Sequence, residues 1–217
     1  MSEPENNSKF YNFAKGKGVM NLPNKLTILR VVLIPVFILF FYVPFKGHYF
    51  VALAVFAIAS ITDSLDGYFA RKYNLVTNLG KFLDPVADKI LVASTMIVML
   101  TAPHFFAVSQ LGGWTMIVAG SCVAVILARE LIVSGFRMVA ADAGIVIAAD
   151  KIGKFKTIFQ DVSLVVLLVA GGFGEFFDGL FVDIVLYVGL SCFIVATILT
   201  IVSGVNYIIK NIEVLKR

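Results

Sequence analysis

Four aspartates, Asp63, Asp66, Asp84 and Asp88, fall between two apolar stretches of a chain otherwise poor in charge. Asp63 and Asp66 are three apart and Asp84 and Asp88 four apart, spacings that put each pair on one face of a helix. The apolar run 49–62 amounts to about 21 Å of helix, so crossing the hydrocarbon requires that helix to continue through Asp63 and Asp66. The next apolar run starts near Ile90, which sets Asp84 and Asp88 in the opening turns of its helix. The connection between them, with Gly67, Asn74, Asn78 and Gly80, is short enough to keep the two helices antiparallel neighbours. The four carboxylates therefore converge.

Anions gathered this closely, partly out of water, take up protons unless cations hold them. Lys81 and Lys89 neutralise two at most, and no His or Cys lies nearby: His48 and His104 fall in other connections, Cys122 and Cys192 in mid-span. Hard oxygen ligands of this kind call for Mg²⁺ or Mn²⁺, and four carboxylates suit a pair of ions about 3.5–4 Å apart. The competing reading is solvated helix-end aspartates, with Asp84 favoured near its helix N-terminus. It accounts for one acid better than for four at this spacing. Gly67 and Gly80 remove side chains where a ligand would approach closely, and Arg71 supplies a guanidinium fork for phosphate. Carboxylate-held divalent ions beside Arg and small residues form the kind of site that binds a diphosphate.

The elements that must carry these residues follow from composition. Apolar residues make up 59% and charged residues 15% of 217, outside the range of soluble domains. The expected fold is all-α and integral to the membrane, a six-transmembrane-helix bundle with spans near 26–45, 48–66, 84–103, 114–136, 155–173 and 181–209. The alternation expected of a membrane barrel is missing. Residues 1–25 read as an N-terminal segment, 26–209 as one membrane domain and 210–217 as a tail. The stretch "NNSKFYNFAKGKGVMNL" mixes Lys with Phe and Tyr, which suits either a short interfacial helix or a disordered tail. No cleavable leader is expected, because the first 25 residues are polar and the first apolar run is a full span.

Basic residues set the orientation. Lys9, Lys15, Lys17 and Lys25 precede the first span, Arg71, Lys72 and Lys81 lie in the second connection, and the fourth connection and tail hold seven more, whereas the odd connections hold Lys46 alone. By the positive-inside rule both termini and the four aspartates face the cytoplasm of a cell (plasma) membrane. The net charge of +4 fits contact with anionic lipid headgroups, and no basic stripe runs on along a soluble face to bind nucleic acid.

Two further groups of polar residues need partners. Arg129 and Arg137 are eight apart, within about 80° around one helix, and Lys154 and Lys156 begin the next span, so these cations can gather on a phosphate. Pairing of Arg129 with Glu130 or Asp161, and anchoring of Lys154 and Lys156 at headgroup level, are the competing readings. Arg30, one turn into the first span, needs an anion, and Asn24 and Thr27 share nearly its face. A donor contact is preferred for the three, with helix capping as the alternative for Asn24 and Thr27.

The pattern Asp63-x2-Asp66-Gly67-x2-Ala70-Arg71-x8-Gly80-x3-Asp84-x3-Asp88 resembles, at every position, the signature of the CDP-alcohol phosphotransferase family. The resemblance implies enzymes that join a CDP-linked donor to an alcohol and release CMP in the membrane. It implies that Asp63, Asp66 and Asp84 hold a first divalent ion, that Asp66, Asp84 and Asp88 hold a second, and that Asp88 accepts the proton. Gly67, Ala70, Arg71 and Gly80 would then contact the cytidine diphosphate part of the donor, with Thr77 beside them. The segments 21–37, 83–89, 128–150 and 153–161 are similar to the bacterial branch that takes CDP-diacylglycerol as donor and glycerol 3-phosphate as acceptor. Phosphatidylglycerol or an inositol phosphate would be the acceptor in neighbouring branches. Homodimers are common in the family. A cation transporter also collects intramembrane acids, but on interrupted helices near the midplane and often in two repeated halves, neither of which is visible here.

Overall fold

The computed structural model describes residues 21–73, 78–106, 114–142 and 151–211, the side chains of Ser64, Ala70, Arg71, 78–85, 141, 142 and 151 excepted. The expected interfacial segment, Thr77 and most of the tail lie outside the described residues. Six α-helices make up the described chain: α1 Leu22–Tyr42, α2 His48–Lys72, α3 Asn78–Leu100, α4 Trp114–Asp142, α5 Lys151–Gly174 and α6 Leu180–Asn211, with a 3-10 turn at Pro103–Phe105. No strand occurs among the described residues. Five helices (α1, α2, α4, α5 and α6) are long and apolar enough among the described residues to cross a membrane, so the protein is an integral membrane helical bundle.

Helix ends run past the apolar stretches. α1 opens at Leu22, before the expected 26, because Asn21 caps it: its Oδ1 accepts the Asn24 backbone N–H at 3.0 Å, and Pro23 occupies the first turn, where no N–H is needed. α2 continues to Lys72 and α3 begins at Asn78, since the backbone ladder persists after side chains turn polar. Hydropathy marks only the part within hydrocarbon.

The chain divides into two compact units, Met1–Ser94 and Thr95–Arg217. In the first, α1 buries a single stripe, Asn24, Thr27, Arg30, Ile34, Phe37 and Phe41, at intervals of three and four. α2 answers with Tyr49, Ala52, Phe56, Ala59, Thr62 and Asp66. The two run antiparallel: Phe41 meets Tyr49 at 5.1 Å between ring centroids and Phe37 meets Phe56 at 6.3 Å. Ala52 and Ala59 let the backbones approach. Gly47, with φ +90°, makes the turn between the helices, a backbone conformation that side chains with a Cβ rarely adopt.

The second unit is built on α6. A Cβ at Gly189 would stand 2.8 Å from Leu167 Cδ2 and 3.3 Å from the Leu167 backbone nitrogen, so α5 and α6 are in near-backbone contact there. α4 meets α6 through Val133, Phe136 and Tyr207, the last two rings edge to face at 6.0 Å. Buried Thr197 and Thr200 donate to carbonyls one turn back, which satisfies their hydroxyls without water.

Candidate active site

The α1 and α2 stripes turn from apolar to polar together. Arg30 is fully buried and reaches both acids of α2: Nη1 lies 2.6 Å from Asp63 Oδ1 and Nη2 lies 2.6 Å from Asp66 Oδ2. Nη2 donates a hydrogen bond to Asp66, whereas the Nη1 contact is a charge contact without hydrogen-bond alignment. Thr27, one turn earlier on α1, donates its single hydroxyl proton between Asp66 Oδ2 at 3.3 Å and the Pro23 carbonyl at 3.2 Å. An arginine with no water around it is retained only against compensating charge. Two carboxylates supply it.

The acids differ in access. The Asp63 side chain is 40% exposed and that of Asp66 only 3%, so one is accessible and the other enclosed. Each commits an oxygen to Arg30. Hard carboxylate oxygens fit Mg²⁺ or Mn²⁺ in donor chemistry. Asp88 stands exposed on α3, beside buried Ala87. The side chains of Ala70, Arg71, Gly80 and Asp84 lie outside those described, and no group of three metal-ligating side chains is formed among the described residues alone. Gly67 follows Asp66 directly on α2.

The sequence calls for an anion at Arg30, which the structure supplies as Asp63 and Asp66, and leaves Asn24 and Thr27 between donor contact and helix cap. The cap is Asn21, Asn24 lends it a backbone N–H, and Thr27 bonds Asp66. At its C-terminal end α2 carries a cluster around Lys72 that spacing alone does not mark. The Lys72 ammonium donates to the Tyr68 hydroxyl at 3.1 Å and lies over the Tyr68 and Tyr73 rings, and that hydrogen bond raises the lysine pKa above its ordinary value.

In the second unit the basic residues gather around Glu130. Its Oε1 accepts from Arg129 Nη1 at 3.0 Å and from Lys156 Nζ at 2.6 Å, and Arg129 Nη2 donates to Ser203 Oγ at 3.2 Å. Two glycines make room for the guanidinium side chain: a Cβ at Gly204 would lie 3.0 Å from Arg129 Cγ, and one at Gly153 would lie 3.5 Å from Nη2. Lys156 is buried by this pairing, whereas Lys154 is exposed. Arg137 is exposed with its guanidinium 5.7 Å from the Tyr207 ring centre. The structure thus joins Arg129 to Lys156 through Glu130. Ser203 and Tyr207, far along the chain, left no signal in the sequence.

Ionisable side chains paired inside a helical membrane protein mark a candidate functional site. Residues 20–202 match the family described as CDP-alcohol phosphatidyltransferase, and the chain belongs to that family. It is 40% identical to a CDP-diacylglycerol–glycerol-3-phosphate 3-phosphatidyltransferase of Bacillus subtilis, over 91% of this chain and 98% of the relative. It is 38% identical to the protein of that name from Escherichia coli K12, over 87% and 93% of the two chains, and 37% identical to that of Rickettsia prowazekii, over 86% and 93%.

Proposed function

We propose that the chain transfers the phosphatidyl group of CDP-diacylglycerol to glycerol 3-phosphate, giving phosphatidylglycerophosphate and CMP. The observation that carries this reading is the pair of acids, Asp63 and Asp66, gathered at Arg30 where the buried α1–α2 stripe turns polar. The names of the relatives supply the substrates. Asp63, Asp66, Asp84 and Asp88 hold two divalent ions, Mg²⁺ or Mn²⁺, which when bound neutralise the diphosphate and the departing CMP.

Asp88 accepts the proton of the glycerol 3-phosphate 1-hydroxyl. That oxygen forms a bond to the β-phosphorus of the donor as the bond from this phosphorus to the CMP oxygen breaks. Gly67, Ala70, Arg71, Thr77 and Gly80, with Asn24, Thr27 and Arg30, bind the donor's cytidine diphosphate. Arg129, Arg137, Lys154 and Lys156 bind the acceptor phosphate, with Glu130 holding Arg129 and Lys156 at fixed separation. Residues 26–209 form the catalytic membrane domain, both termini and the active site face the cytoplasm, and the protein works as a homodimer.

The test is to give purified protein CDP-diacylglycerol, a divalent ion and a panel of alcohols, and to identify the lipid product by mass spectrometry. Phosphatidylglycerophosphate from glycerol 3-phosphate alone is expected. Cardiolipin from phosphatidylglycerol, or an inositol phosphate lipid, would move the chain to a neighbouring branch. Metal-dependent ion flux without CMP would favour transport.

A further inference from the structure

Arg30 holds the same carboxylates that the proposed reaction needs for its divalent ions, and this inference rests on that reading. The guanidinium is 0% exposed, with Nη1 on Asp63 and Nη2 on Asp66, both at 2.6 Å. A divalent ion binding those acids takes up the negative charge that now balances Arg30. A cation held by those acids would repel the buried guanidinium. Arg30 is anchored mid-stripe on α1 between buried Thr27 and Ile34, so retreat into bulk water is not open to it. A buried guanidinium stripped of its anion is strongly unfavourable. Another anion must replace the carboxylates, and the arriving anion in this reaction is the donor's diphosphate. The side chain already has a donor to spare, since Nε has no hydrogen-bond partner among the described residues.

We propose that Arg30 couples metal binding to donor binding by exchanging counterions, resting on Asp63 and Asp66 in the metal-free protein and on the donor diphosphate once divalent ions occupy the acids. Arg30 thus acts as a positioning residue in one state and a donor contact in the other. Divalent ions alone bind weakly, because they must displace the guanidinium's hold, and bind much better when a diphosphate arrives with them. By linkage the ions strengthen diphosphate binding by the same factor. Metal–phosphate coordination gives some coupling by itself. The share due to Arg30 is what disappears when its charge is removed.

The experiment measures Mn²⁺ binding by electron paramagnetic resonance on the purified full chain, with and without CDP, a soluble diphosphate that carries no lipid to transfer. In the parent, CDP should tighten Mn²⁺ by well over tenfold. In Arg30→Met, Mn²⁺ alone should bind more tightly than to the parent, because no guanidinium competes, and the effect of CDP should shrink by about tenfold or more. Arg30→Lys serves if the methionine variant does not fold. Its single ammonium cannot span two carboxylates, so its coupling should fall below that of the parent. Parent-like coupling in the folded variant used would overturn the inference while leaving the proposed reaction intact. Failure of the parent to bind CDP at all would overturn both.

Discussion

Arg30 Nη2 and Asp66 Oδ2 stand 2.6 Å apart although 36 residues separate them along the chain. This contact joins α1 to α2 where the stripe between them turns from aromatic to ionic, so one interaction serves both packing and the candidate chemistry.

Asp66→Asn removes the charge that Arg30 grips and an oxygen donor for the proposed ions. Turnover should be abolished, and thermal unfolding in detergent should show a loss of about 1.5–3 kcal/mol, the worth of a hydrogen bond to a charged group. Asp63→Asn, at the more exposed acid, should also lose activity but with a smaller fall in Tm. Near-parent activity of Asp66→Asn in saturating Mg²⁺ would contradict the two-ion assignment.

The spacing of Asp63, Asp66, Asp84 and Asp88 was enough to place them towards the facing ends of α2 and α3 in sequence, and the apolar runs were enough for an all-helical membrane fold. The partners were harder to read. In a lipid-facing helix both faces are apolar, so periodicity does not mark which side of α1 meets α2, and exposed Leu29 and Val32 look no different from buried Ile34. The Arg30 pairings and the Lys156–Glu130 contact, 26 residues apart, depend on interhelical register, which local spacing does not encode. Helix ends slipped for another reason: Asn21 caps α1 through a side chain in a stretch with no hydropathy signal.

Glycines in the second unit differ by what surrounds them. Gly189→Ala should destabilise by about 1–3 kcal/mol, because the new methyl meets Leu167 at 2.8 Å. Gly120→Ala has nothing within 4 Å and should be neutral or gain up to about 1 kcal/mol from helix propensity. Melting curves of the two variants side by side decide the matter; equal Tm values would mean that α5 and α6 are not in close contact at Gly189.

The basic residues should separate by burial. Arg137→Ala and Lys154→Ala, both at exposed positions, should raise the KM for glycerol 3-phosphate tenfold or more with Tm unchanged. Arg129→Ala should raise KM and also lower Tm, since it leaves Ser203 and Glu130 each without one partner. If all three weaken only the donor, the acceptor pocket is misassigned.

Asp88→Asn should keep the fold and most of the donor affinity while lowering kcat at least about 10²-fold, the scale of general-base catalysis. A rate within about threefold of the parent at saturating metal would remove Asp88 from the mechanism.

The most direct test of the central claim follows both products of one reaction. Purified protein in lipid nanodiscs receives CDP-diacylglycerol, Mg²⁺ and radiolabelled glycerol 3-phosphate, and CMP and labelled lipid are quantified together. Transfer at the Asp63–Asp88 site predicts phosphatidylglycerophosphate and CMP in equal amounts, formation of both ceasing on chelation by EDTA and returning with Mg²⁺ or Mn²⁺. CMP without labelled lipid, or labelled lipid formed in EDTA, would contradict it.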